Sequence, residues 1–217
     1  EHGKHRQNKE THFGNGAASL KTKNDKNRVC CLPAPEKGVC ELKDQTSMLK
    51  LDQLRYANQK MPVFQKYYRL SQMSKSKLFK KIYHILFAFW RRVYKVEFSD
   101  TTQIGPGLYI GHPYGITINP DAVLGSNINI HKGVTIGQEN RGKRKGVPTI
   151  GNDVWIGINS TIVGNITIGD DVLIAPNSYV NCDIPSHSIV IGNPCIIKPC
   201  EHATKEYINH RVSVGTV

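Results

Sequence analysis

From Ile118 onward the chain returns to an aliphatic side chain at every sixth position. Ile118, Leu124, Ile130 and Ile136 make one run, and Ile150, Ile156, Ile162, Ile168, Ile174 and Val180 make a second. Four residues after most of these anchors stands a second small or aliphatic residue: Ala122, Ile128, Val134, Val154, Ser160, Ile166, Val172, Ser178 and Ile184. A period of six fits neither a helix nor an alternating strand. It fits a β-solenoid, in which each hexad is a short strand plus a corner, and three hexads close a triangular coil of about eighteen residues. Gly, Asn and Asp recur between anchors, where a corner needs their backbone freedom. Residues 97–200 are therefore predicted to be a mainly β solenoid with a narrow aliphatic core. The step from Ile136 to Ile150 is too long for one hexad, so residues 138–149 (QENRGKRKGVPT) are expected to bulge out as a loop. Counting back by sixes from Ile118 lands on His112, Pro106 and Asp100. The first coil is thus expected to have imperfect anchors, with Ile104, Ile110 and Ile116 as its companion set.

The pattern changes on either side. Residues 48–96 carry a helical period: Leu78, Ile82, Ile85, Leu86, Phe89 and Val93 fall on one stripe, and Lys77, Lys81, His84, Ala88, Arg91, Arg92 and Lys95 on the opposite side. The simplest reading is a packing helix with a solvated basic face. The sharper reading is peripheral contact of 75–95 with an anionic membrane surface. Residues 1–47 show no periodicity and few large aliphatics, the composition of a disordered extension or an added, dispensable tail, with a nucleic-acid-binding arm as the alternative. Residues 201–217 form a C-terminal tail without a diagnostic pattern.

Composition narrows the partners. The net charge of +12 points to an anionic partner. The six cysteines include no C-x-x-C pair, which suggests free thiols in a reducing compartment. Neither an apolar run long enough to span a bilayer nor a signal-peptide core stands out, so a cytoplasmic location is expected, at the inner face of the membrane if the basic helix docks there. The positive charge does not interleave with aromatics on strands, which argues against nucleic acid as the partner.

The hexads, together with GHPYGITI at 111–118, resemble the hexapeptide-repeat acyltransferases, and within them the serine acetyltransferase branch that includes acetyltransferases of surface sugars. The resemblance covers about residues 96–199. It implies a left-handed parallel β-helix, assembly as a homotrimer, and acetyl-CoA as co-substrate with no metal. It makes His112 the general base, with Glu97, fifteen residues upstream, as its orienting carboxylate. It places coenzyme A along Gly157, Ile158, Ala175 and Pro176, with Lys198 near a phosphate. From its charge, the 138–149 loop, with Arg141 and Lys143 among its cations, is expected either to meet coenzyme A phosphates or to stay solvated. His131, Tyr114 and Asn119 are candidates to touch the acceptor, and Trp155 to flank the groove.

Departures from the branch bear on the acceptor. Where serine acetyltransferases end the loop with an Arg-His pair, this chain has Gly146 and Val147. Where they place an acidic residue before the catalytic histidine, it has Gly111. A serine zwitterion needs charged partners at both ends, so a saccharide acceptor is expected (a capsule, exopolysaccharide or cell-wall precursor, free or lipid-linked), with serine as the alternative. A non-catalytic or carbonic-anhydrase-like solenoid is a lesser alternative, which would need about three converging histidines.

Overall fold

The computed structural model describes residues 47–213, so the expectations for residues 1–46 and 214–217 lie outside the described residues. Three helices precede the solenoid: α1 (Met48–Arg55), α2 (Val63–Met73) and α3 (Lys77–Val93). The chain then winds through three parallel walls. The first stacks Gln103–Ile104, Val123–Leu124, Thr149–Ile150 and Thr167–Ile168. The second stacks Tyr109–Gly111, Asn129–His131, Val154–Ile156, Val172–Ile174 and Ser188–Ile191, closed by the antiparallel strand Ile196–Pro199. The third stacks Thr117–Ile118, Thr135–Gly137, Thr161–Val163 and Tyr179–Val180, with Glu97 bridging to Thr117.

The anchors form three buried columns along the axis. Ile104, Leu124, Ile150, Ile168 and Ile184 make one, and Ile110, Ile130, Ile156, Ile174 and Val190 the next. Ile118, Ile136, Ile162 and Val180 make the third, continued by Phe98 beside the Glu97 bridge. This corrects the expected first coil. Its anchors are Phe98, Ile104 and Ile110, all buried, rather than Asp100, Pro106 and His112. The register breaks because the corner between Ile110 and Ile118 holds two residues more than the one between Ile130 and Ile136 below it. Those extra residues lift His112 out of the column.

Corners rely on left-handed backbone, which costs a residue with a Cβ roughly 1–2 kcal/mol and is least unfavourable for Gly, Asn, Asp and His. One column of corners is Gly107, Asn127, Asp153, Asp171 and His187, all with positive φ. Residues 201–213 run along this column as a strap. Asp171 accepts hydrogen bonds from the Ala203 and Thr204 N–H groups and the Thr204 hydroxyl, and Asn127 exchanges two bonds with the Val212 backbone.

An open solenoid end exposes backbone groups with no further coil to bond. The helical layer supplies their partners. Asp52 accepts the Gly107 and Leu108 N–H groups, and the Tyr56 hydroxyl accepts that of Ile110. Gln65 donates to the Leu108 carbonyl, Tyr68 to that of Thr102, and Arg69 to those of Ile104 and Gly105. The buried Asp52–Arg69 ion pair (2.7 Å) ties α1 to α2 in this cap.

The expected packing of α3 is reversed. It buries Phe87 and turns Tyr83, Trp90 and Tyr94 inward, while Leu78, Ile82, Ile85, Phe89 and Val93 face solvent in the single chain. An aromatic stripe makes a better contact with Phe64, Tyr67 and Tyr68 of α2 than the aliphatic stripe does.

Candidate active site

The enlarged corner presents His112 with φ +55°, alongside the positive-φ Gly115 that continues the ordinary corner column through Gly133 and Asn159. The Tyr114 N–H folds back onto the His112 carbonyl (2.8 Å), and the Tyr114 carbonyl accepts from Gly133 in the next coil. His112 is exposed, and its imidazole makes no hydrogen bond among the described residues. A corner that turns an imidazole outward with no partner among the described residues leaves that ring available to a substrate. Tyr114 is exposed at the same corner, with its ring 5.7 Å from that of Tyr94.

Directly below, Gly111 pairs with His131. A Cβ at 111 would come within 2.8 Å of His131 Cδ2 and 3.0 Å of Nε2, so this imidazole fills the space a side chain at 111 would need. His131 Nδ1 lies 2.9 Å from the Ile156 carbonyl, which can only accept, so the proton sits on Nδ1 and Nε2 keeps its lone pair. Burial holds His131 below the ordinary histidine range, with His112 acting in the same direction against the Ile156 bond. It is therefore neutral near pH 7, with a bare nitrogen at the edge of the His112 corner.

His131 is also part of the floor of a pocket of about 380 Å³. Its ring lies 4.7 Å from Trp155, which meets Tyr207 of the strap at 5.1 Å, and Tyr56 packs on Tyr109 at 4.8 Å. The Tyr109 hydroxyl donates to Gln59 (3.1 Å). Arg55 donates to Asn129, its Nε and Nη1 have no hydrogen-bond partner among the described residues, and burial lowers its pKa to about 10. Among the described residues, no carboxylate lines this pocket.

The other expected residues divide by corner. Gly157, Ile158, Ala175 and Pro176 lie below His112 in the same column of corners. There the Gly157 N–H is taken by the Ile174 carbonyl, the Ala175 N–H by Val190, and the Ile158 carbonyl by Asn177. Asn119, on the third wall, donates to Gln138 at the root of the 138–149 loop (3.2 Å). That loop leaves from a different corner. It folds as a small hairpin closed by Glu139 and Gly146, and Arg141, Lys143 and Arg144 line a hollow of about 340 Å³. Lys198 is exposed on the closing antiparallel strand. Glu97 is fixed through its backbone to Ile116 and Ile118, while its exposed side chain makes no hydrogen bond to His112. The pocket walls from Arg55 to Gln59 and at Tyr207 carry no signal in the sequence, since the first is the end of α1 with the turn after it, outside the stripes traced from Lys77 to Lys95, and the second lies in a tail without a diagnostic pattern.

The described chain is thus a parallel solenoid built on hexads, with a histidine held out from one corner. Residues 148–182 match the family described as bacterial transferase hexapeptide (six repeats). A serine acetyltransferase of Helicobacter pylori is 34% identical over 126 residues, 58% of this chain and 74% of the relative. Serine acetyltransferase 2 of Arabidopsis thaliana is 35% identical over 129 residues, and the chain spans only 40% of that relative's length. Among solved structures, a soybean serine acetyltransferase apoenzyme superposes with a TM-score of 0.58 at 27% identity, covering 70% of this chain and 69% of that one. A serine acetyltransferase from Brucella abortus in complex with coenzyme A superposes with a TM-score of 0.59 at 25% identity, covering 70% and 66%. The chain belongs to the hexapeptide-repeat acyltransferases of the serine acetyltransferase-like family.

Proposed function

We propose that the chain transfers an acetyl group from acetyl-CoA to a hydroxyl, with His112 as general base. The observation that carries this reading is the enlarged corner, which breaks an otherwise regular coil to hold out one unbonded imidazole. The acceptor hydroxyl gives its proton to His112 as its oxygen attacks the thioester carbonyl. The tetrahedral intermediate collapses, the C–S bond breaks, and the departing thiolate takes the proton back. Acetyl-CoA is the donor by likeness to the neighbours solved with coenzyme A, and assembly as a trimer belongs to the same proposal. Glu97 orients His112 only if its side chain swings to it from the third wall.

The names of the relatives favour serine as acceptor over the saccharide expected from the sequence, and serine leads. A specific observation keeps the saccharide as a second reading. Where the branch has a carboxylate before the histidine, this chain has Gly111, and the neutral ring of His131 occupies the space. An amine would meet no charge there, whereas stacked rings and amides suit a sugar.

A thiol-release assay with acetyl-CoA, comparing serine with a panel of sugars and sugar nucleotides, separates the acceptors. His112→Asn should lower turnover by about 10²–10⁴ with the true acceptor. Near-wild-type turnover of that variant would remove the base assignment.

A further inference from the structure

Helix α3 leaves its most apolar face uncovered. Leu78, Ile82, Ile85, Phe89 and Val93 are 40–67% exposed, and with an advance of about 100° per residue they form one continuous stripe. The inward side is occupied by Tyr83, Phe87, Trp90 and Tyr94, so the exposed stripe is a second apolar face. A surface helix normally turns its aliphatic face to the core and its polar face to water.

The residues beside the stripe identify what it meets. Lys81 and Arg92 border it on one side, with Lys77 and Lys95 further round. From Lys75 to Val96 the chain holds seven Lys and Arg and no Asp or Glu. Arg91 is engaged with the Phe98 carbonyl, and His84 with Asp100. Among the described residues, the side chains of Lys75, Lys77, Lys80, Lys81, Arg92 and Lys95 form no hydrogen bond or ion pair. Packing this face on the same face of a second copy, as in a two-fold dimer, would bring like charges together. An anionic bilayer offers the opposite: acyl chains for the stripe and headgroup phosphates for the cations. The helix is seventeen residues long, and no helix among the described residues is long and apolar enough to cross a membrane.

We infer that α3 is a docking element that lies in the surface of an anionic phospholipid bilayer, with Leu78, Ile82, Ile85, Phe89 and Val93 inserted among the acyl chains and Lys77, Lys81 and Arg92 at the phosphates. The inference does not depend on the acceptor or on the role of His112. Tyr94, on the packed side, contacts Tyr114 at the His112 corner, so the docked helix and the candidate active site share a contact.

The test is co-sedimentation of the full chain with vesicles of phosphatidylglycerol and phosphatidylcholine, against vesicles of phosphatidylcholine alone. The wild-type chain should bind the anionic vesicles and bind the neutral ones at least about tenfold more weakly. The triple variant Lys77→Glu, Lys81→Glu, Arg92→Glu should lose about 100-fold in partitioning to anionic vesicles. Ile85→Asn with Phe89→Asn should lose a similar factor, with unchanged thermal melting and unchanged thiol release on a soluble acceptor. Two results overturn the inference. One is the absence of binding to anionic vesicles. The other is an Ile85→Asn, Phe89→Asn variant that sediments with vesicles as wild type does but has an altered assembly mass by light scattering, which would make this face an interface between copies.

Discussion

Replacing Asp52 tests whether the helical cap is needed to hold the open end of the solenoid. Asp52 is fully buried. Its Oδ1 accepts from Gly107 (2.9 Å), Leu108 (3.0 Å) and Arg69 Nη2 (3.2 Å), and its Oδ2 from Arg69 Nε (2.7 Å) and Gln65 (3.0 Å). Asp52→Ala strands the buried guanidinium of Arg69, which costs about 3–5 kcal/mol. It also orphans two buried backbone N–H groups, at about 1–3 kcal/mol each. These losses overlap, because Arg69 keeps its bonds to the Ile104 and Gly105 carbonyls, so a total of about 4–6 kcal/mol is expected. Asp52→Asn keeps an oxygen for Gly107 and Leu108 while removing the charge, and about half that loss is expected. Urea unfolding at fixed protein concentration, followed by the helical circular dichroism signal, measures both, against a total stability of about 5–15 kcal/mol for an ordinary domain. An Asp52→Ala variant within about 1 kcal/mol of wild type, or equal losses for Ala and Asn, would refute the argument. The same variant should loosen the pocket, because Tyr56 to Gln59 follow α1 directly.

Two further outcomes follow from the strap and the loop. Burial pushes the Asp171 carboxyl up, but the bonds from Thr204, His187 and Ala203 outweigh it and leave the group below its ordinary value. Its contribution is therefore present above the unfolded carboxyl pKa and fades as pH falls through the lower folded value. Asp171→Ala should remove that acid step and free Tyr207 from Trp155, read as a tryptophan fluorescence shift at neutral pH. Converting Arg141, Lys143 and Arg144 to Ala should weaken coenzyme A binding about tenfold or more and flatten its salt dependence, measured by titration calorimetry. Unchanged affinity would return the loop to solvent.

The hexads made the walls, the core columns and the loop legible, because a period of six leaves few competing folds. They misplaced the first coil because periodicity alone cannot locate a two-residue enlargement. Counting back from Ile118 ran through the corner and took Asp100, Pro106 and His112 for anchors, while Phe98, Ile104 and Ile110 held the columns. In α3 the spacing identified an apolar stripe correctly but not the side it faces, since a second, aromatic stripe competes for the same neighbours. The pocket was illegible for another reason. His131 and Trp155 stand on the solenoid, but the facing wall comes from an α1–α2 turn and a strap that the fold brings together across most of the chain.

The enlarged corner at His112 lies between two strands, Tyr109–Gly111 and Thr117–Ile118, that both keep register with the coil below. Its length is thus uncoupled from the rest of the spool, as a spare link in one coil of a spring leaves the neighbouring coils unmoved. Residues added or removed there would change what the imidazole can reach without disturbing the scaffold, so such a fold can acquire new acceptors by editing a few positions at one bend.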